Sequence, residues 1–394
     1  MIEQIPFIAA GLALGIVTGL FPGIHLNTVS SLVLFFRFPG SIEIVLMIVA
    51  MNVMHSFMDF VPSILLGAPD ESNFLSALPG HKLFLRGQAL LGIQLAVVGN
   101  LVGFVASMAL IPIYWLFAVQ TQSFLVRAIP WVLSIVLIMQ IASEKNARKR
   151  AVAVGIVLLA GTVGLIGLEK GSGALYAMVT GFFGASTLLV SLKRSEMDVE
   201  QSTESVPAKP KKWVGIGILG TITGSLVSLF PAISSSHAAF VAQTIRQRFS
   251  SKQFLVLLGS INASATVFSL VALQVLGKAR TGSAVAIREL LGLSFSDFLL
   301  VLATILFSAG IAAGLTVWIA KKALKGLQRF PHATVSKIVI VFLAGLAFLL
   351  GQWFGLLALI ASTGIGLATH WQGIKKSHCM AFLLVPTILF YWSF

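Results

Sequence analysis

A long apolar stretch interrupted by a proline is the feature that most restricts how this chain can fold. The stretch 11–28 runs through a hydrophobic helix to Pro22 and Gly23 and then continues with polar residues. Proline lacks an amide hydrogen and clashes with the preceding turn, and glycine adds backbone freedom, so two half-helices joined at a break are predicted. Inside a bilayer, such a break is tolerated only where protein or a water-filled cavity surrounds it.

A related interrupted stretch lies in the second half of the chain, so an internal repeat is predicted. The pairs that align are Gly11 with Gly220, Gly15 with Gly224, Phe21 with Phe230, Pro22 with Pro231, Asn52 with Asn262 and Gly67 with Gly277. Paired interrupted helices in corresponding halves are typical of the binding sites of transporters. The alternative interpretation is a pair of proline kinks in helices that pack through small residues.

The composition places the chain in a membrane. Of its 394 residues, 57% are hydrophobic and 10% are charged, and the mean hydropathy is +0.97, which excludes a soluble fold. The net charge of +14 comes from lysines and arginines in short loops, where it orients the chain and leaves no surface for nucleic acid. The single cysteine, Cys379, excludes a disulfide framework and a cysteine metal site. The residues from Met1 onward are expected to be retained and not cleaved as a signal peptide.

The apolar runs predict an all-α polytopic membrane protein with two halves. The first half, 1–192, contains a broken hairpin at 5–36 and spans at 42–66, 89–117, 123–143, 151–168 and 173–192. A hydrophilic linker at 193–212 is predicted to be disordered. The second half, 213–394, contains a broken hairpin at 213–245 and spans at 253–276, 293–320, 338–350, 353–369 and 379–394.

The basic loops predict the orientation of both halves. The loops at 145–150, 246–252, 321–337 and 375–376, together with the linker, are predicted to be cytoplasmic. The stretch 213–245 has positive charge on both sides, so it is predicted to be a re-entrant helical hairpin. Counting the crossings back along the chain places the N-terminus and the first hairpin outside. The two halves are therefore predicted to be inverted-topology repeats.

Hairpins that enter from opposite faces bring their tips together near the middle of the membrane. The half-helix after each proline presents free backbone N–H groups and the positive end of its dipole, which favours an anion. The predicted substrate-binding residues of the tips are Pro22, Gly23, His25, Asn27, Thr28, Pro231, Ser234, Ser235, Ser236 and His237. Carbonyl groups exposed at the breaks can hold Na⁺. For the hydroxyl residues, N-capping of the second half-helix is the alternative.

Two basic residues extend the predicted anion site. Arg280 can bind a carboxylate or a phosphate by two parallel hydrogen bonds, and Lys278 adds charge beside it. Contact with lipid headgroups at the membrane surface is the alternative for both.

Four ionisable residues in the first half are predicted to couple transport to an ion. His55 and Asp59 lie four residues apart and share one helix face, as in a proton or cation relay. An internal hydrogen bond without a role in transport is the alternative. Asp70 and Glu71 follow Pro69 at the end of a span, where they can bind a coupling cation or face water.

These residues resemble the TctA family, the large membrane subunit of tripartite tricarboxylate transporters, and in particular its short archaeal-type members. The motifs are Gly15-x3-Gly19-x2-Pro22-Gly23-Ile24-His25-x-Asn27, Pro62-x4-Gly67-Ala68-Pro69-Asp70-Glu71 followed by Leu78-Pro79-Gly80-His81, and Gly277-Lys278-Ala279-Arg280-Thr281-Gly282. The resemblance covers most of the chain. It implies an inverted-repeat secondary transporter for organic anions such as di- or tricarboxylates, driven by a gradient of Na⁺ or H⁺.

Bacterial members of that family are assisted by a periplasmic binding protein and a small membrane subunit. This chain is shorter, has Ala232 where the first tip has Gly23, and has Asp70 and Glu71 where the bacterial loop is small and uncharged. These departures leave the accessory subunits and the tricarboxylate substrate open. A homodimer is compatible with the small-residue faces of the spans, and no cofactor is expected besides Na⁺ as a coupling ion.

Two other functions are alternatives to anion transport. The chain has a more distant resemblance to polyprenyl-phosphate transporters that carry the domain of unknown function 368, which implies a lipid-carrier translocase on the same scaffold. A phosphate headgroup would suit the same cations and serines, and the isoprenoid tail would require a groove open to lipid. An intramembrane hydrolase is disfavoured, because no nucleophile stands at a recognisable spacing from a base and an orienting group.

Overall fold

The computed structural model describes residues 2–21, 40–65, 77–192, 201–202, 210–230, 249–279, 281–327 and 332–393, together with Ser235, Ala238, Ala239 and Ala242. All regular secondary structure in these parts of the chain is helical. Seven of the described helices are long and apolar enough to cross a membrane. The predicted all-α polytopic membrane fold is confirmed.

The described helices are, in chain order, α1 (Ile5–Leu20), α2 (Ile42–Met58, continued by Phe60–Leu65), α3 (Ala77–Phe84), α4 (Ala89–Ala142), α5 (Ala147–Leu168), α6 (Ser172–Val179, the π-helical turn Thr180–Ala185, and Ser186–Ser191), α7 (Val214–Val227), α8 (Ser251–Leu276), α9 (Gly282–Leu290), α10 (Phe295–Leu327), α11 (His332–Trp371) and α12 (Ala381–Trp392). Short 3-10 turns occur at Ile2–Gln4, Pro210–Lys212 and Lys376–Met380.

The helices form two large hydrophobic cores that share α4. The first core contains α1, α2, α7, α8, α9, α10 and the N-terminal part of α4. The second contains the C-terminal part of α4 with α5, α6, α11 and α12. In the most apolar stretch of each helix, 94% of α2 and 89% of α8 is buried, and both helices belong to the first core. The corresponding share of α11, in the second core, is 22%. Because α2 and α8 are enclosed by other helices, polar groups on them face protein and not lipid.

α1 packs on α2, and α7 packs on α8, through residues at matching positions. A Cβ atom at Gly15 would lie 2.6 Å from the carbonyl oxygen of Met51, and one at Gly224 would lie 2.7 Å from that of Ile261. Only glycine permits backbones to approach this closely. Met51 and Ile261 are 210 residues apart, as are the aligned Asn52 and Asn262 that follow them. These contacts agree with an internal repeat, and the inverted topology remains a prediction.

Replacement of Gly224 by alanine is expected to destabilise the first core, because the new methyl group would meet the backbone of α8. Overpacking of this kind costs roughly 1–3 kcal/mol, so the thermal midpoint in detergent should fall by several degrees. Gly155 on α5 is a matched control, since a Cβ atom there would have no neighbour within 4 Å. An unchanged midpoint for Gly224→Ala would show that α7 and α8 do not pack closely.

α11 consists of two helices that meet at a reversal of the chain. Gln352 has a φ of 50° and a ψ of −145°, which no helix can accommodate. A Cβ atom at Gly355 would touch the carbonyl oxygen of Ala347, although these residues would be about 12 Å apart along a straight helix. The break predicted between 338–350 and 353–369 is therefore present, and the crossing of the membrane by each part remains a prediction.

The loop predicted between the spans 89–117 and 123–143 is replaced by helix. α4 is continuous from Ala89 to Ala142 and contains Pro112 and Pro130. The residues at 118–122 include neither glycine nor proline, so nothing in the local sequence stops the helix there.

Part of the linker 193–212 is ordered, contrary to the prediction that it is disordered. The side chain of Gln201 is buried, accepts a hydrogen bond from the Ala89 amide at 3.3 Å and donates one to the Phe84 carbonyl at 2.8 Å. The Ser202 amide donates to the Gly87 carbonyl at 3.0 Å. The first turn of α4 has amide groups without partners in the helix, and the Gln201 side chain satisfies one of them.

Candidate functional site

The hydrogen bonding of α2 is interrupted in the centre of the first core. Asp59, between Met58 and Phe60, keeps helical dihedral angles (φ −60°, ψ −23°), so the helix continues in direction. Pro62 explains the interruption, because it offers no amide hydrogen to the carbonyl of Met58 and its ring crowds that carbonyl. A lost backbone hydrogen bond at this depth is tolerated because protein encloses it.

His55 and Asp59 lie at this interruption and are 3% and 2% exposed. The Asp59 amide donates to the His55 carbonyl at 2.9 Å, so the two residues occupy one face, as predicted. Nδ1 of His55 is 3.0 Å from Oγ1 of Thr18 on α1. A Cβ atom at Gly19 would lie 3.2 Å from the Asp59 amide nitrogen. The end of α1 is therefore held against the ionisable pair, immediately before the tip that begins at Pro22.

The carbonyl oxygen of Ser56 joins three helices. It accepts hydrogen bonds from Nδ2 of Asn100 on α4 at 3.0 Å and from Nδ2 of Asn262 on α8 at 3.5 Å. Oδ1 of Asn262 accepts a hydrogen bond from Oγ of Ser235 at 3.4 Å. Ser235 lies four residues after Pro231, just as Thr18 lies four residues before Pro22. Thr18, before the first tip, and Ser235, in the second, are thus connected to the same turn of α2.

A chain of hydroxyl groups continues from α2 to the start of α9. Nδ2 of Asn52 donates to Oγ of Ser283 at 2.9 Å. Oγ1 of Thr281 is 3.1 Å from Oγ of Ser283 and 2.9 Å from Oγ of Ser269. Thr281 also caps α9, since its Oγ1 accepts a hydrogen bond from the Ala284 amide. The chain of hydroxyl groups ends next in sequence to the predicted anion-binding residues at 278 and 280.

Comparison with known families identifies what kind of protein carries this site. Residues 5–381 match the tripartite tricarboxylate transporter TctA family. The chain belongs to the TctA family. It is 29% identical over 405 residues to the uncharacterized protein MJ1079 of Methanocaldococcus jannaschii, and the alignment covers 98% of each chain. No solved structure matches it. The TctA family is a family of membrane transporters, so this multi-pass protein is a transporter and not an enzyme by family.

The structure describes four of the residues predicted for the TctA site. His55, Asp59 and Ser235 belong to the polar network around α2, and Lys278 lies partly buried between α8 and α9. The other predicted residues lie outside the described parts of the chain. They are Pro22, Gly23, His25, Asn27, Thr28, Asp70, Glu71, Pro231, Ser234, Ser236, His237 and Arg280. Their roles remain predictions.

Sequence reasoning missed the residues that connect the predicted ones. Asn100 and Ser283 are fully or almost fully buried, and each reaches α2 from another helix. Asn100 is one of two amides in the apolar run 89–117, beside Gln94, which is a usable signal, because a buried amide in a membrane protein needs a partner. Spacing alone gives no indication of which partner it finds.

A second polar cluster lies between the end of α4 and the turn before α12. Oε1 of Glu144 accepts hydrogen bonds from the Lys375 amide and from Nε2 of His378, both at 2.9 Å. Nζ of Lys376 donates to Oγ of Ser186 at 2.8 Å. Burial is the largest influence on the Lys376 ammonium and lowers its pKa to about 8. The cluster connects three elements of the second core at one end of the molecule.

The Glu144 cluster predicts a loss of stability in acid. Burial lowers the pKa of His378, and the hydrogen bond to Glu144 offsets only part of that effect. Burial raises the pKa of Glu144, but hydrogen bonds from Lys375 and His378 outweigh it and leave that pKa below its usual value. In both cases the unfolded chain takes up its proton at higher pH, so the thermal midpoint should fall as the pH drops below about 6.5, and further below about 4.5.

Glu144→Gln tests this assignment. At pH 7 it removes the carboxylate that accepts hydrogen bonds from the Lys375 amide and His378, and because hydrogen bonds to a charged group are worth roughly 1.5–3 kcal/mol, the thermal midpoint in detergent should fall. The difference in thermal midpoint between wild type and Glu144→Gln should narrow as the pH falls below about 4.5, because the wild-type carboxylate then loses its charge. Glu169→Gln, at an exposed position after α5, is the control and should change little. A gap that is constant with pH would contradict the assignment.

Proposed function

We propose that this TctA-family protein is a secondary active transporter for a small organic anion such as a di- or tricarboxylate, with the substrate held between the two proline tips. The observation that supports the proposal is the convergence on α2. The Ser56 carbonyl is bonded to Asn262, which holds Ser235 after one tip, and the neighbouring His55 holds Thr18 before the other. Thr18 and Ser235, which lie beside the two prolines in sequence, are therefore connected to one turn of α2, and this supports tips that lie close together.

The tips have the chemistry that an organic anion requires. Each is expected to present backbone N–H groups at the start of a half-helix, with serine, threonine, asparagine and histidine donors beside them. Arg280 and Lys278 supply positive charge at the start of α9, next to the hydroxyl chain that leads back to Asn52. A carboxylate bound there would be fixed by several charge-assisted hydrogen bonds.

Coupling to Na⁺ or H⁺ is assigned to His55 and Asp59, with Asp70 and Glu71 as further candidates. Ionisable groups buried in a membrane span are costly and mark ion pathways by default. The pair touches the end of α1, so a change in its charge would act directly on the neighbouring tip. The orientation, with the N-terminus outside and the linker 193–212 cytoplasmic, belongs to the same proposal.

Thermal stabilisation of the purified protein tests the substrate class. A ligand that binds only the folded state raises the thermal midpoint, by an amount equivalent to about 2.7 kcal/mol at 100 times its Kd. Di- and tricarboxylates and short polyprenyl phosphates should each be tested with and without Na⁺ and at two pH values. Stabilisation by a carboxylate that strengthens with the coupling ion is expected. Stabilisation by polyprenyl phosphates alone would replace the proposal with a lipid-carrier translocase.

Accessory subunits are part of the proposal, because the TctA family is a subunit family of tripartite transporters. If this chain needs them, uptake into liposomes that contain the purified chain alone should be absent, although substrate still stabilises it. Uptake by the chain alone would show that it transports without them.

A further inference from the structure

The turn between α4 and α5 is fixed to the turn between α11 and α12. Nζ of Lys149 donates to the Gly373 carbonyl at 2.7 Å, and Nζ of Lys375 donates to Oγ of Ser143 at 2.7 Å. Nε of Arg150 donates to the Glu144 carbonyl at 3.2 Å. Lys149 and Lys375 hold the two turns together, Arg150 fixes the turn between α4 and α5, and the three cations form a basic surface at one end of the second core.

Two further cations of this surface are left without a protein partner. Lys145 and Arg148 are exposed, and neither makes a hydrogen bond or an ion pair with any residue that the structure describes. The carboxylate of Glu144 is buried and already accepts hydrogen bonds from His378 and the Lys375 amide. Arg148 also lies in the first turn of α5, where the positive end of the helix dipole disfavours a cation. The positive charge of this surface is therefore not balanced within the described protein.

The surface lies at the level where a membrane meets water. Trp371 ends α11 two residues before Gly373 and is 67% exposed. An exposed tryptophan at the end of an apolar membrane helix is typical of the interface with the lipid headgroups. Lysine and arginine side chains at this level reach lipid phosphates while their apolar stems remain against the protein.

We propose that Lys145 and Arg148 form a binding site for the headgroup of an anionic phospholipid. The phosphate supplies the negative charge that the turn lacks, and the hydrogen-bonded turns present both cations in a fixed arrangement. Unlike general attraction to a charged bilayer, binding here depends on these two side chains. The site is separate from the proposed substrate site and does not depend on the proposed transport function.

A second basic cluster of the chain provides a matched control. Lys321, Lys322 and Lys325 lie in the last turns of α10, where the helix dipole favours cations. Nζ of Lys322 is 5.8 Å from the centre of the Trp318 ring, so it also has an aromatic partner. Both clusters are predicted to lie on the cytoplasmic side. The α10 cluster carries as much positive charge, but the helix dipole and the Trp318 ring already stabilise it. It should therefore not create a lipid site.

The test measures how phosphatidylglycerol stabilises the delipidated full-length protein in detergent at low salt. Thermal midpoints are titrated with dioleoyl phosphatidylglycerol, with dioleoyl phosphatidylcholine and with sodium phosphate, for wild type, for K145Q/R148Q and for K321Q/K325Q. Phosphatidylglycerol should raise the midpoint of wild type and of K321Q/K325Q. Its apparent affinity for K145Q/R148Q should be roughly 10- to 30-fold lower, since each basic residue near the membrane surface contributes a factor of about 5.

Each outcome distinguishes the lipid site from a different kind of binding. Equal loss in both double variants would show general surface electrostatics, and an unchanged response of K145Q/R148Q would show that lipid binds elsewhere. Stabilisation by sodium phosphate as strong as that by phosphatidylglycerol would show a site for a free anion. A lower midpoint of K145Q/R148Q in phosphatidylcholine would show a structural role, and native mass spectrometry of retained phosphatidylglycerol would then decide whether the site persists. Each of these results overturns the proposal, with one exception. If native mass spectrometry shows that wild type retains phosphatidylglycerol and K145Q/R148Q does not, the proposal stands.

Discussion

Replacement of Asp59 by asparagine is expected to reduce gradient-driven uptake by about 100-fold or more while the fold is retained. The asparagine side chain has the same size and can still form hydrogen bonds, but it carries no charge. Asp59 is 2% exposed at the interruption of α2, where ion coupling needs an ionisable group. A contact with a charged group is worth roughly 1.5–3 kcal/mol, so loss of two such contacts to the coupling ion corresponds to about 100-fold or more.

Uptake should be measured in liposomes under an imposed Na⁺ gradient and, separately, an imposed pH gradient. The substrate should still stabilise Asp59→Asn, because the proposed role of Asp59 is coupling and not substrate binding. Its stabilisation should no longer depend on the ion that drives wild-type uptake. Asp297→Asn is the control, since Asp297 is only half-buried at the start of α10 and accepts its hydrogen bond from Ser294. Full gradient-driven uptake by Asp59→Asn would show that His55 and Asp59 do not couple transport to an ion.

The ends of the half-helices could be predicted because proline acts locally. α1 ends at Leu20 and α7 ends at Val227, shortly before Pro22 and Pro231. The interruption of α2 was not predicted, although Pro62 acts by the same chemistry. Polar residues follow the prolines of the tips and indicate a break in the helix there. Pro62 lies within an apolar run, which predicts an uninterrupted helix.

Whether a contact inside the site could be predicted depended on how far apart its two residues lie along the chain. His55 and Asp59 could be paired from their spacing, because helix geometry places residues four apart on one face. Asn100 binds a carbonyl 44 residues away, and Asn52 binds a hydroxyl 231 residues away. Contacts of this kind are set by how the helices pack. The contact between Glu144 and His378, 234 residues apart, was missed for the same reason.

Arg280→Ala is expected to abolish uptake while leaving the fold and membrane insertion intact. Arg280 directly precedes Thr281, the residue at which the hydroxyl chain from Asn52 reaches α9. A guanidinium at that position can bind a carboxylate through two hydrogen bonds, each worth roughly 1.5–3 kcal/mol because both groups are charged. Removal of both should weaken substrate binding by about 100-fold or more.

Two further variants separate the charge of Arg280 from its geometry and from its location. Arg280→Lys keeps the charge but cannot form the bidentate contact, so its uptake should lie between those of wild type and Arg280→Ala. Arg288→Ala removes an exposed cation of α9 that pairs with Glu289 at 3.0 Å, and its uptake should be normal. Because Arg280→Ala is expected to lose binding and Asp59→Asn only coupling, substrate-induced stabilisation should vanish in the first and persist in the second. Transport by Arg280→Ala at normal affinity would place Arg280 at the membrane surface and the anion site elsewhere.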